Sequence, residues 1–154
     1  MKTQIPAVLG LPIRTNEAGE TEFLLTMRHA PHKLQFHNKW QLAGGGMEFG
    51  ETPEEALVRE FQEELSVTPT IIHPNAIVMT NTWMGGDDDT RDDVHIILIC
   101  YLLDIKDQQP IITDPDEETG DFGWFSYEQI MKLDCLPKTK QYIKRAKYIV
   151  QNYL

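Results

Sequence analysis

Three glutamates, Glu60, Glu63 and Glu64, follow directly on Arg59. On a helix turning by about 100° per residue they share one arc, beside a second arc holding Leu57, Val58, Phe61 and Leu65. Like charges at i, i+3 and i, i+4 oppose one another by a few tenths of a kcal/mol on an exposed helix, and by more when half-buried. Such a cluster calls for a cation, and Arg59 alone does not balance it. Grouped carboxylate oxygens suit hard divalent ions such as Mg²⁺ or Mn²⁺. Taken alone, three such residues are more often a solvated, glutamate-rich helix face. Their neighbours shift that balance. Gly44-Gly45-Gly46 lets backbone approach a ligand closely, and Gly50 supplies a turn before Glu51. Arg59 lies eight residues after Glu51, within reach to orient carboxylates with its planar fork.

The element that must present these groups is the clearest helix in the chain. Thr52 is its N-cap, Pro53 its first residue, and Glu55 completes a capping box. It should run to about Leu65, where Ser66-Val67-Thr68-Pro69 ends it. Before it, residues 4–14 read as a strand, Asn16–Gly19 as a turn and residues 22–27 as the returning strand. Residues 28–39 read as a loop, and Trp40–Ala43 as a short extended piece running into the glycines. After the helix, strand-like segments at 70–82 and 94–103 flank an acidic loop, Gly85–Asp93. A loop at 104–120 leads to a short strand, Phe122–Phe125, and to a short helix capped by Ser126 with Gln129. The last helix begins near Pro137, with Tyr142, Ile143, Ala146, Ile149, Val150 and Tyr153 on one face. Strands interleaved with helices imply a layered α/β domain.

The chain has 154 residues, which suits one domain spanning 1–154. Hydrophobic residues at 41% and charged residues at 25% exclude a disordered or collagen-like chain. A net charge of −10 disfavours binding to a nucleic acid polymer, whose backbone it repels. A small anionic ligand would need metal ions or a local basic patch. The longest apolar stretch, Val94–Leu103, is about half of a membrane span, so no membrane partner is expected. The first residues lack the long apolar core and cleavage site of a signal peptide. Cys100 and Cys135 read as two buried free thiols, and the expected location is cytoplasmic.

Gly45, Glu51, Arg59, Glu60, Phe61, Glu63, Glu64 and Val67 fit the gapped pattern G-x5-E-x7-R-E-U-x-E-E-x-G-U, with U apolar. This resembles the Nudix box, with Ser66 in place of the last glycine, a change expected to alter the helix C-cap and not the chemistry. The wider layout resembles the Nudix hydrolase family over nearly the whole chain. The resemblance implies an α/β/α sandwich around a mixed sheet. It also implies hydrolysis of a nucleoside diphosphate linked to another moiety. Within the family, Trp40–Glu48 and Asp116–Trp124 look like the nucleoside triphosphatase branch that favours deoxypyrimidine triphosphates.

Carried over by that likeness, Glu60 and Glu64 are metal ligands, with Glu63 close by and the Gly44 or Gly45 carbonyl adding an oxygen. Glu51 pairs with Arg59 as support. A further acid outside the box completes the site or activates water, among Glu117, Glu118 and Asp121, with Glu118 favoured. Magnesium ions, with manganese as the alternative, would bridge an acidic protein and a polyanionic substrate. Arg28, Lys33 and Lys39, among three histidines and no acid, form a local basic stretch suited to terminal phosphates, or a solvated loop. Trp83 is the better candidate for stacking on a base, whereas Trp40 and Trp124 suit core packing. The five histidines show no metal-ligand spacing. Other substrates remain open: an oxidised purine nucleotide, a nucleotide sugar or ADP-ribose. So does a sensor that binds a nucleotide without cleaving it, although a complete glutamate cluster speaks against that. The sequence allows a homodimer and does not fix the oligomeric state.

Overall fold

The computed structural model describes residues 2–83, 93–113 and 117–154. Eight strands form one mixed sheet: β1 Lys2–Thr15, β2 Thr21–Arg28, β3 Trp40–Gln41, β4 Ala43–Gly46, β5 Thr70–Ile71, β6 Ile77–Trp83, β7 Asp93–Asp104 and β8 Thr119–Ser126. Three helices accompany them: α1 Pro53–Leu65, α2 Tyr127–Met131 and α3 Thr139–Tyr153. None of the described helices is long and apolar enough to cross a membrane.

One long strand organises the sheet. On one edge β1 pairs in parallel with β7, from Lys2↔Asp93 to Pro12↔Leu103. On the other edge it changes neighbour, pairing with β4 at residues 7–10 and with β2 at residues 13–15. The chain from Trp40 to Gly46 spans that change, since β3 pairs with β2 and β4 with β1. The sheet therefore parts beside the triple glycine, and the site forms there.

The two faces are covered separately. One core layer packs Val8, Leu24 and Leu103 against Leu57, Phe61 and Leu65 of α1. The other packs Leu11, Leu25, Cys100 and Leu102 against Ile130 of α2 and Tyr142, Ile143 and Ala146 of α3. This is an α/β/α sandwich. Gly10 sets the depth of α1, because a Cβ there would lie 2.5 Å from both Phe61 Cε2 and Leu103 Cδ1.

Several expectations change in detail. The segment 70–82 is two strands, broken where His73 Nδ1 accepts from Asn75 N–H around Pro74. The strand expected at Phe122–Phe125 runs from Thr119 to Ser126, because β2 supplies a ladder along that length. Val58 is half-buried, and Ala56 joins the buried stripe instead. Cys100 is buried, but Cys135 is only half-buried, and both are free thiols. The acidic loop at 85–93 lies outside the described residues, apart from Asp93, which opens β7.

Candidate active site

Thr52 Oγ1 accepts from Glu55 N–H at 3.1 Å and Glu55 Oε2 accepts from Thr52 N–H at 3.4 Å, so the capping box fixes where α1 begins. Its C-cap, Ser66, adopts φ 57° and ψ 35°. That is the left-handed conformation glycine takes most readily, so Ser66 keeps the cap geometry at the expense of backbone strain. No basic residue occupies the last turn of α1, where the helix dipole favours cations, yet Glu63 and Glu64 stand there.

Arg59 gathers the acids of this region. Its Nε donates to Glu51 Oε2 at 2.8 Å and its Nη2 to Glu51 Oε1 at 2.9 Å, a bidentate fork. Nη2 also donates to Gly46 O at 3.1 Å, and Nη1 reaches Glu60 Oε1 at 3.0 Å and Glu63 Oε2 at 3.4 Å. Glu48 lies 3.8 Å away. The Arg59 hydrogen bonds hold the Glu51 carboxyl below the usual carboxylate range. The same partner, Glu51, raises the Arg59 guanidinium further. Glu60 behaves oppositely: burial pushes its carboxyl up, against the pull of Arg59 and a hydrogen bond with Glu64. Its side chain is 12% exposed, against 46% for Glu63.

Gly45 lies against the Glu60 carboxylate. A Cβ on Gly45 would sit 2.6 Å from Glu60 Oε1 and 2.8 Å from Oε2, so only glycine leaves room for that acid. The available donors are all oxygens: the Glu60, Glu63 and Glu64 carboxylates and the carbonyls of the glycine turn. This set fits a hard divalent cation. Among the described residues no three acidic, histidine or cysteine side chains yet converge on one point. The Arg59 guanidinium holds the Glu60 and Glu63 carboxylates in this arrangement.

A cavity of about 370 Å³ opens beside this cluster. Gly44, Gly45, Glu64, Arg28 and Glu118 are among its lining residues. Phe36, Trp83, Val94, Ile96 and Leu98 line its apolar part. Phe36 and Trp83 meet edge to face, with ring centroids 5.1 Å apart. A volume of this size and this mixed lining are those of a small-molecule site.

Most of the residues singled out in the sequence come together here, and Lys39 does not. Lys39 lies outside the cavity lining, with Nζ 3.9 Å from Asp134. Arg28 Nη1 and Glu118 Oε2 are 3.4 Å apart, so the basic stretch and the acidic loop meet each other at the cavity wall. Asp121 and Glu117 are not part of the lining. Trp40 packs on Phe125 with centroids 4.8 Å apart, and Arg14 stacks on Trp124 at 4.3 Å, so both indoles are structural. Asn81, which also lines the cavity, escaped notice in the sequence. Counting by twos from the apolar Ile77 and Met79 places it on the inward face, a signal hidden by the polar run Thr80-Asn81-Thr82.

Comparison with known proteins agrees with this geometry. A nucleoside triphosphatase NudI of Enterobacter sp. (strain 638) is 34% identical over 121 residues, spanning 75% of this chain and 82% of that protein. The crystal structure of a C. elegans Ap4A hydrolase binary complex superposes with a TM-score of 0.72 at 18% identity, over 97% of this chain and 99% of that one. The NUDIX domain of Shewanella oneidensis NrtR, solved with ADP ribose, gives a TM-score of 0.71 at 19% identity, over 97% and 90%. At those identities the two structures share the fold alone. The NUDIX domain model matches residues 4–147, and with the glutamate helix, its arginine clasp and the glycine turn in place, the chain belongs to the NUDIX family.

Proposed function

We propose that the protein is a Mg²⁺-dependent nucleoside triphosphate pyrophosphohydrolase that releases a nucleoside monophosphate and pyrophosphate, with a preference for deoxypyrimidine substrates. One observation carries the reading: a single cavity joins an aromatic, apolar slot to the glutamate helix and the glycine turn. A nucleotide has the same two ends. The likeness to a protein named nucleoside triphosphatase, across 82% of its length, supports the triphosphate.

Nudix hydrolases generally use divalent metal ions. In this chain Glu60, Glu63 and Glu64, with the Gly44 or Gly45 carbonyl, are the groups that would hold them. Bound there, such ions neutralise phosphate charge and make attack by water on phosphorus easier. Glu51 keeps the Arg59 fork in place beside the glutamates. Arg28 meets the phosphates at the cavity wall. Its 3.4 Å pairing with Glu118 is half-exposed and weak, so an incoming polyanion displaces it. Glu118, at the same wall, accepts the proton of the attacking water as pyrophosphate departs. Trp83 and Phe36 pack against the base. Lys39, turned to Asp134, has no part in this scheme.

Phosphorus NMR of products formed in ¹⁸O-water tests the chemistry. Pyrophosphate plus monophosphate from a deoxypyrimidine triphosphate, dependent on Mg²⁺, is the expected outcome. Release of orthophosphate, or faster turnover of ADP-ribose or a nucleotide sugar, overturns it.

A further inference from the structure

The inward face of β6 and β7 is apolar at every position but one. Along β6 the inward residues are Ile77, Met79, Asn81 and Trp83, and their partners on β7 are Cys100, Leu98, Ile96 and Val94. Asn81 is half-buried, lines the cavity and stands two residues from Trp83 on the same strand face. Residues so related are about 6.6 Å apart, roughly the width of a base. Asn81 Oδ1 accepts from Thr82 N–H at 3.1 Å. Its Nδ2 has no acceptor among the described residues. On an otherwise apolar wall, that donor is available to whatever occupies the cavity.

Resting on the triphosphatase reading, we propose that Asn81 is the residue that reads the base: its Nδ2 donates to a ring carbonyl oxygen while Trp83 packs against the ring. The 4-oxygen of a uracil-type base accepts that bond. The 4-amino group of cytosine presents hydrogens to hydrogens and leaves both groups unpaired. Preference between two otherwise similar substrates then follows from one buried hydrogen bond, the arrangement in which discrimination is largest. Asn81 is thus a specificity-determining residue, distinct from the glutamates that serve every nucleotide alike.

The test compares dUTP and dCTP, which differ at position 4 and carry no extra methyl group. The parent is expected to favour dUTP in kcat/KM by about tenfold, the worth of one net hydrogen bond. Asn81→Ala should collapse the ratio to near unity. Asn81→Asp, which replaces the donor by an acceptor, should turn it toward dCTP. Melting temperatures check that the variants fold, and Asn81→Ser serves where alanine destabilises the strand. Dissociation constants for dUMP and dCMP, read from Trp83 fluorescence, should follow the same order. A dUTP:dCTP ratio left unchanged by all three substitutions overturns this role for Asn81 and leaves the triphosphatase reading standing. Failure of the parent to cleave any nucleoside triphosphate overturns both.

Discussion

The triple glycine separates fold from chemistry one residue at a time, and Gly45→Ala is the sharpest probe of the site. The new Cβ would lie 2.6 Å from Glu60 Oε1, 2.7 Å from Cδ and 2.8 Å from Oε2. Ordinary contact begins at 3.4 Å, so the carboxylate must retreat by roughly 0.8 Å. It is the far end of a flexible side chain, so the backbone need not move. A displacement near 1 Å at a reacting centre lowers rates by about a hundredfold. Stability should change by no more than about 0.5 kcal/mol, a shift of about 1–2 °C in Tm. Gly44→Ala is the contrast. There φ is +143° and the Cβ would meet Val8 O at 2.1 Å and Leu9 Cα at 2.8 Å, both backbone. The β1–β4 ladder must give way, at about 3 kcal/mol and a fall of about 6–12 °C. Gly46→Ala meets nothing within 4 Å and should melt with the parent. The assay is nucleotide hydrolysis beside thermal melting. Full activity in Gly45→Ala would refute the idea that the Glu60 position matters, and a large fall in its Tm would show that the clash reaches the backbone.

Four further outcomes are expected. Ser66→Gly should raise Tm by about 2–4 °C, because glycine relieves about 1 kcal/mol of left-handed strain at φ 57°. Adding Mg²⁺ at a hundredfold excess over its Kd should stabilise the protein by about 2.7 kcal/mol, reversibly with a chelator, and an unmoved Tm would count against the glutamate cluster as a metal site. Native protein should show slow reaction with thiol reagents at pH 8, because burial pushes both thiols up and Cys100 is wholly enclosed, whereas denatured protein should expose both; rapid labelling of two thiols in the native state would contradict the fold. Glu51, with its pKa lowered by Arg59, stabilises the fold fully above its unfolded value of 4.5, and that gain is lost as pH falls through the folded value; parent and Glu51→Gln melting curves should therefore separate at neutral pH and converge in acid.

What the sequence made legible was local. The capping box at Thr52 and Glu55 and the 3.6-residue stripe of Leu57, Phe61 and Leu65 each sit within one turn or two of helix, so spacing alone identifies them. The break between β5 and β6 is equally local, at Pro74, but the true reach of β8 was not legible, because it depends on a distant strand. Thr119 belongs to a strand only because Arg28 pairs with it. The cavity was illegible for the same reason. Its walls come from Phe36, Asn81, Glu118 and Leu136, remote in sequence and united only where the sheet parts beside β4. Lys39 counted as part of a basic stretch, yet it lies outside the cavity lining, with Nζ 3.9 Å from Asp134.

Helix α1 is built against its own stability at its C-terminal end. Glu63 and Glu64 occupy the turn where the dipole repels anions, no base there offsets them, and Glu60 is held largely out of water. Arg59 relieves this as the local counter-ion. It is tied twice to Glu51, but only once to Glu60 and more loosely to Glu63. That asymmetry has a consequence for cation binding. An ion drawn to the glutamates would compete with Arg59 for Glu60 and Glu63, while the Glu51 fork would keep the guanidinium from leaving. Arg59 would then remain against Gly46 O at the edge of the site, where Nη2 donates at 3.1 Å. Glu51→Gln should therefore weaken cation binding, although Glu51 itself contributes no ligand: its loss frees Arg59 to compete for Glu60. A Mg²⁺ titration showing equal affinity in parent and variant would remove Glu51 from that role.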